Sequence, residues 1–479
     1  MHQSQSSPKL LSIRVLLSNL TAVALLLAAA SPAAALPEPT LFMTTGGAGS
    51  SSKIPPPSEL WRVDPNTGAA TAVGNTGFAI TGLAQDPTTG ILYGVSNNNS
   101  PLAPRTLLAI DPATGAATQV GPLGDDRRIA DISFNSNGEL FGWWDEPEDN
   151  LVRIDKATGA VTKVGDAEIS TYGSGSAFDR NDTFWLFGDG EGDPTPPPGS
   201  GEYWTIDTAT GVPTSRGFLK PLTDNESSVG AAAFDCARTT VYAALNNYGE
   251  PPANLVTINT ATGDLTNKGL TVTAADGLEW YCPLAFEFNS GPIKVAAKKL
   301  TLTIPIVRGP RIKGSATVNV ATVGGSAKAG RDFVGFTGSL AFANNTAEAT
   351  LSVPIKGDPK AGKNRKFQIA LSSPSADGTV GVPLQVTILA PKPKRAKIKG
   401  PKTTSAERPV FRLRSNQRPA RFRCKLDKGK FKACGRNSKK GKKFKTPKLA
   451  PGKHKLVVQV VNGAGKKSKP AKKVFTVLP

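Results

Sequence analysis

A twelve-residue phrase recurs five times in the first 290 residues of this chain, and no other feature limits its folding as strongly. The copies are VDPNTGAATAVG (63–74), IDPATGAATQVG (110–121), IDKATGAVTKVG (154–165), IDTATGVPTSRG (206–217) and INTATGDLTNKG (258–269). Its chemistry is that of a chain reversal. Asp accepts backbone N–H groups, Pro presets φ, and Gly supplies the positive φ that turns the backbone. Asp111, Asp155 and Asp207 are therefore read as turn residues. Asn259 takes the Asp position in the fifth copy, which suits a turn and not a catalytic carboxylate.

Each phrase lies within a longer unit. Apolar strands such as LLAI or LVRI precede it, and a further pair follows, as in GLAQDPTTGILYGVS, ADISFNSNGELFGWW and GAAAFDCARTTVYAAL. Four short strands recurring every 44 to 52 residues predict propeller blades. We label them A (the GLAQ type), B (LYGVS), C (LLAI) and D (AATQVG). The fifth unit stops after its A strand, GLEWYC (277–282), while LFMTT (41–45), LWRVD and AATAVG supply the missing B, C and D. The expectation is a five-bladed propeller over residues 36–290, closed by both ends so that no sheet edge stays open; a sixth blade in divergent sequence is the alternative. The repeats resemble bacterial propellers with a DPxTG turn, including the quinoprotein-like repeats.

Short A–B and C–D turns fall on one face of such a body. The long, dissimilar B–C loops fall on the other, where binding is normally grafted onto a rigid scaffold. Ligand-binding candidates there are Trp143 and Trp144 with Asp145 and Glu146 in WWDEPEDN, and Tyr248 in NNYGEPPAN. Exposed aromatics beside carboxylates suit sugar rings or cationic segments; the competing reading is that the indoles fill space between blades. Asp189, Glu191 and Asp193 in DGEGD have alternate carboxylates like a calcium loop, but lack its later Gly and terminal Glu. Beyond residue 2, His454 is the only histidine, and it lies far from the repeats, so Ser-His-Asp or Cys-His catalysis is not available there. Acid–base catalysis by paired carboxylates remains open to the repeats.

The start of the chain places Lys9 and Arg14 before a short apolar stretch and Ala33-Ala34-Ala35, the order of a secretory signal over residues 1–35. The apolar run is short for a bilayer span, and no later segment is apolar enough to cross one. Export makes the four cysteines disulfide candidates. Cys424 and Cys434 flank a predicted hairpin and are expected to pair. Cys236 and Cys282 occupy matching places in consecutive repeats, and their pairing stands open.

From about Val295 to Leu389 the chain changes to the alternation of a β-sandwich in TLTIPIV, ATVNVA, ATLSVPI and KFQIAL. GSATVNVATVGGSAKAGRDF, GSLAF, IKGD and NRKFQIALSSP closely resemble a Calx-beta domain, placed at 295–390. The resemblance implies a Greek-key sandwich and, in some members, calcium held by clustered carboxylates. Asp332 and Asp358 keep two such positions. Arg365 stands where the family usually has Glu, with Lys363 and Lys366 beside it, and the lysines of VAAKKL replace an early acid. A divalent cation needs dense anionic oxygen, so calcium is disfavoured and no cofactor is expected.

After a basic linker (391–405), residues 406–479 resemble the small immunoglobulin-like repeats at the ends of exported actinobacterial proteins, through the FRCKLD…FKAC hairpin, the PGKH turn and the NGAG turn. The third module is accordingly expected to be an Ig-like sandwich. Charge divides sharply along the chain. Residues 1–290 carry 15 Lys+Arg against 31 Asp+Glu, and residues 391–479 carry 30 against 2. Self-repulsion at that density favours a polyanionic partner, with Lys439, Lys440, Lys442, Lys443 and Lys445 as the densest cluster. Sparse aromatics and the absence of a nucleic-acid motif argue against sequence-specific reading of DNA or RNA. The expected molecule is a secreted or envelope-associated, non-enzymatic adhesion protein attached to anionic envelope polymer. Self-association of acidic repeats with the basic end is the competing partner. A carboxylate- or metal-dependent propeller lyase or lactonase, and calcium-dependent adhesion, are the competing functions.

Overall fold

A computed structural model of the chain describes residues 38–45, 57–144, 149–190, 201–220, 226–247 and 252–479. They form strands and turns with no α-helix. A first sheet contains β1 (Thr40–Thr45), β2 (Glu59–Val63) and β3 (Ala70–Asn75). The second runs β4 (Ile80–Gln85), β5 (Leu92–Ser96), β6 (Thr106–Ile110), β7 (Ala117–Pro122). The third runs β8 (Ile129–Phe134), β9 (Leu140–Trp144), β10 (Asn150–Ile154), β11 (Val161–Lys163). The fourth has β12 (Thr171–Phe178), β13 (Phe184–Gly190), β14 (Glu202–Ile206) and β15 (Pro213–Phe218). The fifth has β16 (Glu226–Phe234), β17 (Val241–Asn247), β18 (Asn254–Ile258) and β19 (Leu265–Leu270). Then β20 (Ala275–Tyr281) returns to the first sheet and pairs antiparallel with β1, setting Leu41 opposite Trp280 and Met43 opposite Leu278.

The repeated phrase is the turn between the third and fourth strands of every sheet. Oδ1 of Asp64, Asp111, Asp155, Asp207 and Asn259 each accepts the N–H two residues on, at 2.8–3.0 Å. The glycine four residues after each has φ between +72° and +82°, a region where side chains are costly. These turns also join neighbouring sheets. A Cβ on Gly74 would strike the carbonyl of Thr114, one on Gly121 that of Thr158, and one on Gly165 that of Thr210. Likewise Gly263 lies against the carbonyl of Phe218, and Gly269 against that of Thr67.

Position within a sheet follows side-chain type. β4 and β8 are buried at every residue, whereas every residue of β3 and β7 is exposed or half-buried. Small residues let the buried strands approach closely. A Cβ on Gly82 would lie 2.9 Å from Asp131, and one on Gly175 2.6 Å from the backbone of Ala231. Polar groups bond across the same seams: Thr81 Oγ1 donates to Ile129 O at 2.8 Å, and Asn246 Nδ2 to Ala275 O at 2.9 Å. A disulfide joins Cys236, in the turn after β16, to Cys282, directly after β20.

Two further sheets make a sandwich. One has the order β26 (Glu348–Ile355), β23 (Leu300–Pro310), β21 (Leu284–Phe288), β28 (Thr379–Val380). The other has β22 (Ile293–Ala296), β29 (Leu384–Leu389), β27 (Arg365–Ser372), β24 (Ala316–Gly324), β25 (Thr337–Phe342). Phe286, Ile304, Val318, Phe333, Phe342 and Phe367 fill the space between them. This corrects the sequence-based boundary: residues 284–288 belong to the sandwich, not to the repeats, because Leu284 and Phe286 pack into its core and β21 pairs with β23.

The last module packs a three-stranded sheet, β30 (Lys397–Lys399), β32 (Val410–Arg414), β35 (Lys442–Lys445), over a five-stranded one. The latter runs β31 (Thr403–Thr404), β37 (Ala471–Val477), β36 (Gly452–Asn462), β33 (Ala420–Leu426), β34 (Lys432–Arg436). Phe411, Leu413, Phe422, Leu456 and Phe475 form its core, and Cys424 is bonded to Cys434. The expected linker over 391–405 is corrected too, since Lys397–Lys399 and Thr403–Thr404 are strands of this module.

Candidate functional site

The sandwich carries the candidate cation site at one end. Asp332 precedes Phe333 of the core, and Asp358 lies in the loop between β26 and β27. The first residue of β27, Arg365, reaches both. Its Nη1 pairs with Asp332 Oδ1, and its Nη2 donates to Asp358 Oδ2 at 2.9 Å. Asp332 Oδ2 accepts from Arg331 Nη2 and from the Lys328 N–H, both at 2.8 Å. Burial raises the Asp332 pKa, but the hydrogen bonds from Arg331, Lys328 and Arg365 outweigh it and hold the carboxyl below its ordinary value. Asp358 Oδ1 is taken by the Lys360 N–H at 2.8 Å. The donor set does not fit a divalent cation: a guanidinium already spans the two carboxylates, and the rim carries Lys328, Lys356 and Lys360.

A second constellation lies where the sandwich meets the five sheets, and sequence reasoning did not anticipate it. Asp131 of β8 is fully buried; its Oδ1 accepts the Ile132 N–H at 2.9 Å and its Oδ2 the Ser176 N–H of β12 at 2.7 Å. Burial, more than the backbone donors offset, pushes its carboxyl well above the usual range. At the equivalent place the other buried strands have Gly82, Gly175, Ala231 and Gly277, so a lone acid among small residues was the available signal. Two residues on from Gly277, Glu279 accepts the Gln85 N–H at 3.2 Å. Burial raises its pKa to about 7, against the pull of Lys313.

Lys313 comes from the loop between β23 and β24 and donates to Phe134 O at the end of β8. Burial, and then repulsion from Arg238, push its pKa well down. Arg238 donates to Phe178 O at 3.3 Å and to Asp182 at 3.2 Å. Glu279, Lys313 and Arg238, with Arg311, Cys236 and Cys282, line a cavity of about 40 Å³, room for a few waters. Arg311 pairs with Asp377, which presses on Gly90 in the A–B turn of the second sheet. Asn345 Nδ2 donates to Arg180 O at 2.6 Å in the corresponding turn of the fourth. The sandwich therefore seats on the short A–B turns.

The two tryptophans are not surface aromatics, which corrects the ligand-binding expectation for them. Both end β9, whose two faces are covered by adjacent sheets. Trp143 is fully buried among Phe178, Phe184 and Leu186 and donates from Nε1 to Thr171 Oγ1 at 3.0 Å. Trp144 packs with Tyr93 and Ile129 on the other side, and the Arg127 guanidinium lies 4.2 Å from its ring centre. Asp145, Glu146, Glu191, Asp193 and Tyr248 lie outside the described residues, and only the backbone of Asp189 is described, at the end of β13. No group of three or more His, Cys, Asp or Glu side chains suited to a metal occurs among the described residues.

In the third module Lys439, Lys440, Lys442, Lys443 and Lys445 are all exposed. The two acids there are engaged: Glu407 with Lys448 at 2.8 Å, and Asp427 with His454 at 2.9 Å. The Asp427 carboxylate and the Ala450 carbonyl raise the His454 pKa. This contact joins the turn after β33 to β36 and has no nucleophile in it.

Comparison with known proteins identifies two segments of the chain. The Calx-beta domain family model matches residues 283–393, and a repeat of unknown function, DUF6923, matches residues 41–190. The sodium/calcium exchanger Calx of Drosophila melanogaster is 30% identical over 129 residues, 27% of this chain. The chain spans only 14% of that exchanger's length. Among solved structures, the apo-form Calx CBD1 domain is 28% identical, with 23% of this chain and 98% of that one covered, at a TM-score of 0.22. Hydrazine synthase of Kuenenia stuttgartiensis is 11% identical, with 61% of this chain and 76% of that one covered, at a TM-score of 0.29. Residues 283–393 are thus a Calx-beta domain similar to those of sodium/calcium exchangers, within an all-β chain that carries two disulfides.

Proposed function

We propose that this is an extracellular, non-enzymatic binding protein. In this reading a closed five-bladed propeller presents its B–C loops to a ligand, a calcium-independent Calx-beta module supports it, and a basic Ig-like module holds the molecule to anionic surface material. The observation that carries the reading is the segregation of charge: nearly every cation of the last module is exposed and free of an acidic partner chain segment, while the repeats are acidic. Propeller closure is supported by the glycine-to-turn contacts, which pass from sheet to sheet and return with Gly269 against Thr67. Export is supported by the two disulfides and by the amino-terminal apolar stretch.

Binding is favoured over catalysis because Asp131 and Glu279 are occupied by backbone N–H groups rather than turned toward solvent. Arg365 bridging Asp332 and Asp358 favours a calcium-independent module. Two measurements test the reading. Fractionation places the mature protein with the envelope or the medium. Retention on isolated envelope falls steeply between low and moderate salt, as counterion release requires. Cytosolic protein, or salt-insensitive retention, removes it.

A further inference from the structure

The three-stranded sheet of the last module is an ordered array of cations rather than a general excess of charge. In β30 and β32, Lys397 stands opposite Arg414 and Lys399 opposite Arg412; on the other side of β32, Arg412 faces Lys443 and Val410 faces Lys445. Alternate residues point inward, with Phe411 and Leu413 in the core. Lys397, Lys399, Arg412, Arg414, Lys443 and Lys445 are all exposed on the other face. Strand geometry spaces them by about 4.8 Å between strands and about 6.7 Å along each strand.

We infer that this outward face of β30, β32 and β35 is the docking face for a linear phosphodiester polymer, held by Lys397, Lys399, Arg412, Arg414, Lys443 and Lys445. The inference rests on the polyanion reading above and adds the face and the ligand chemistry. Charge complementarity is its basis, because no acid projects from this sheet and both acids of the module are engaged elsewhere. The sequence after Tyr281 contains no Trp or Tyr. That composition lacks the aromatic anchors of a membrane interface and most of the stacking surface that single-stranded nucleic-acid binders use. A flexible backbone with one phosphate per repeat meets successive cations without needing either.

The test uses the mature full-length protein and poly(glycerol phosphate) across a salt series. Six phosphate contacts predict a log–log salt slope of about −4. Substituting Lys397, Lys399, Arg412 and Lys443 by Gln lowers affinity at least tenfold and flattens the slope to about −1.4. A control removes equal charge elsewhere, with Gln at the exposed Lys428, Lys430, Lys432 and Lys469, and changes the slope by less than one. Unchanged thermal unfolding shows that both variants are folded. Equal losses in the two variants overturn the face assignment while leaving polyanion binding intact. No binding by the unsubstituted protein removes the polyanion reading itself. Tighter binding to anionic phospholipid vesicles, or self-association that the face variant abolishes, assigns the face to a membrane or to the acidic repeats of a second copy, and overturns the inference.

Discussion

Cys282 follows β20 directly and is bonded to Cys236 in the turn between β16 and β17. The strand that pairs with β1 is thereby fixed to the fifth sheet by a covalent link as well as by packing. Their sequence separation is 46, against 10 for Cys424 and Cys434. In the chain-entropy account the longer loop contributes about 4 kcal/mol and the shorter about 3 kcal/mol. Replacing Cys236 and Cys282 together by Ser is expected to lower the unfolding midpoint of the repeats more than the Cys424/Cys434 replacement lowers that of the last module. Thermal unfolding with and without reductant checks this.

Calcium is expected to give neither binding heat nor thermal stabilisation, since Arg365 already spans Asp332 and Asp358. Arg365→Ala leaves the buried Asp332 with fewer partners and costs about 2–3 kcal/mol, discounted because the arginine is partly exposed. Arg365→Glu restores the residue implied by the Calx-beta resemblance. Calorimetry and unfolding with calcium read both variants, and stabilisation of the unsubstituted chain by calcium refutes the account.

The Asp332 carboxyl sits below its ordinary pKa when folded. Its contribution is therefore present above the unfolded value of about 3.9 and is lost as pH falls through the lower folded value. Asp332→Asn is expected to reduce stability at neutral pH and to flatten the acid limb of a denaturation profile below about pH 4.

Glu279 behaves in the opposite sense. Its folded pKa, raised to about 7 by burial despite Lys313, lies above the ordinary 4.5. Stability linked to it is complete below 4.5 and declines as pH rises toward 7. Glu279→Gln is expected to remove that slope, about 3 kcal/mol. Urea titrations at several pH values measure it, and an unchanged slope counts against the burial of this group.

Gly165 allows the third sheet to touch the Thr210 carbonyl of the fourth. Gly165→Ala is expected to cost about 1–3 kcal/mol through overpacking. Gly291→Ala, where a Cβ meets nothing within 4 Å, is expected to be near neutral. Equal effects argue against tight packing at the sheet boundary.

Legibility in the sequence depended on how far apart the cooperating residues lie. The turn phrase was readable because its Asp, Gly and strand pattern act within twelve residues, and the pairing of 277–282 with 41–45 followed from counting strands. The Arg365 substitution was readable against the Calx-beta pattern. The buried cluster was not: Asp131, Glu279 and Lys313 come from widely separated segments, and Lys313 reaches the other two only when the sandwich seats on the repeats. Trp143 misled because a Trp-Trp pair next to acids looks alike at a loop and at the end of a covered strand. β21 was missed because LAFEF continues the apolar rhythm of the repeat before it.

The order β20-β1-β2-β3 also dictates a sequence of events during synthesis. Every other sheet of the repeats is made of consecutive strands and is able to assemble as soon as it leaves the ribosome. The first must wait, with the edge of β1 uncovered, until residue 281 has emerged. A nascent chain is most open to wrong partners during that interval, and a truncation before residue 275 would make the interval permanent.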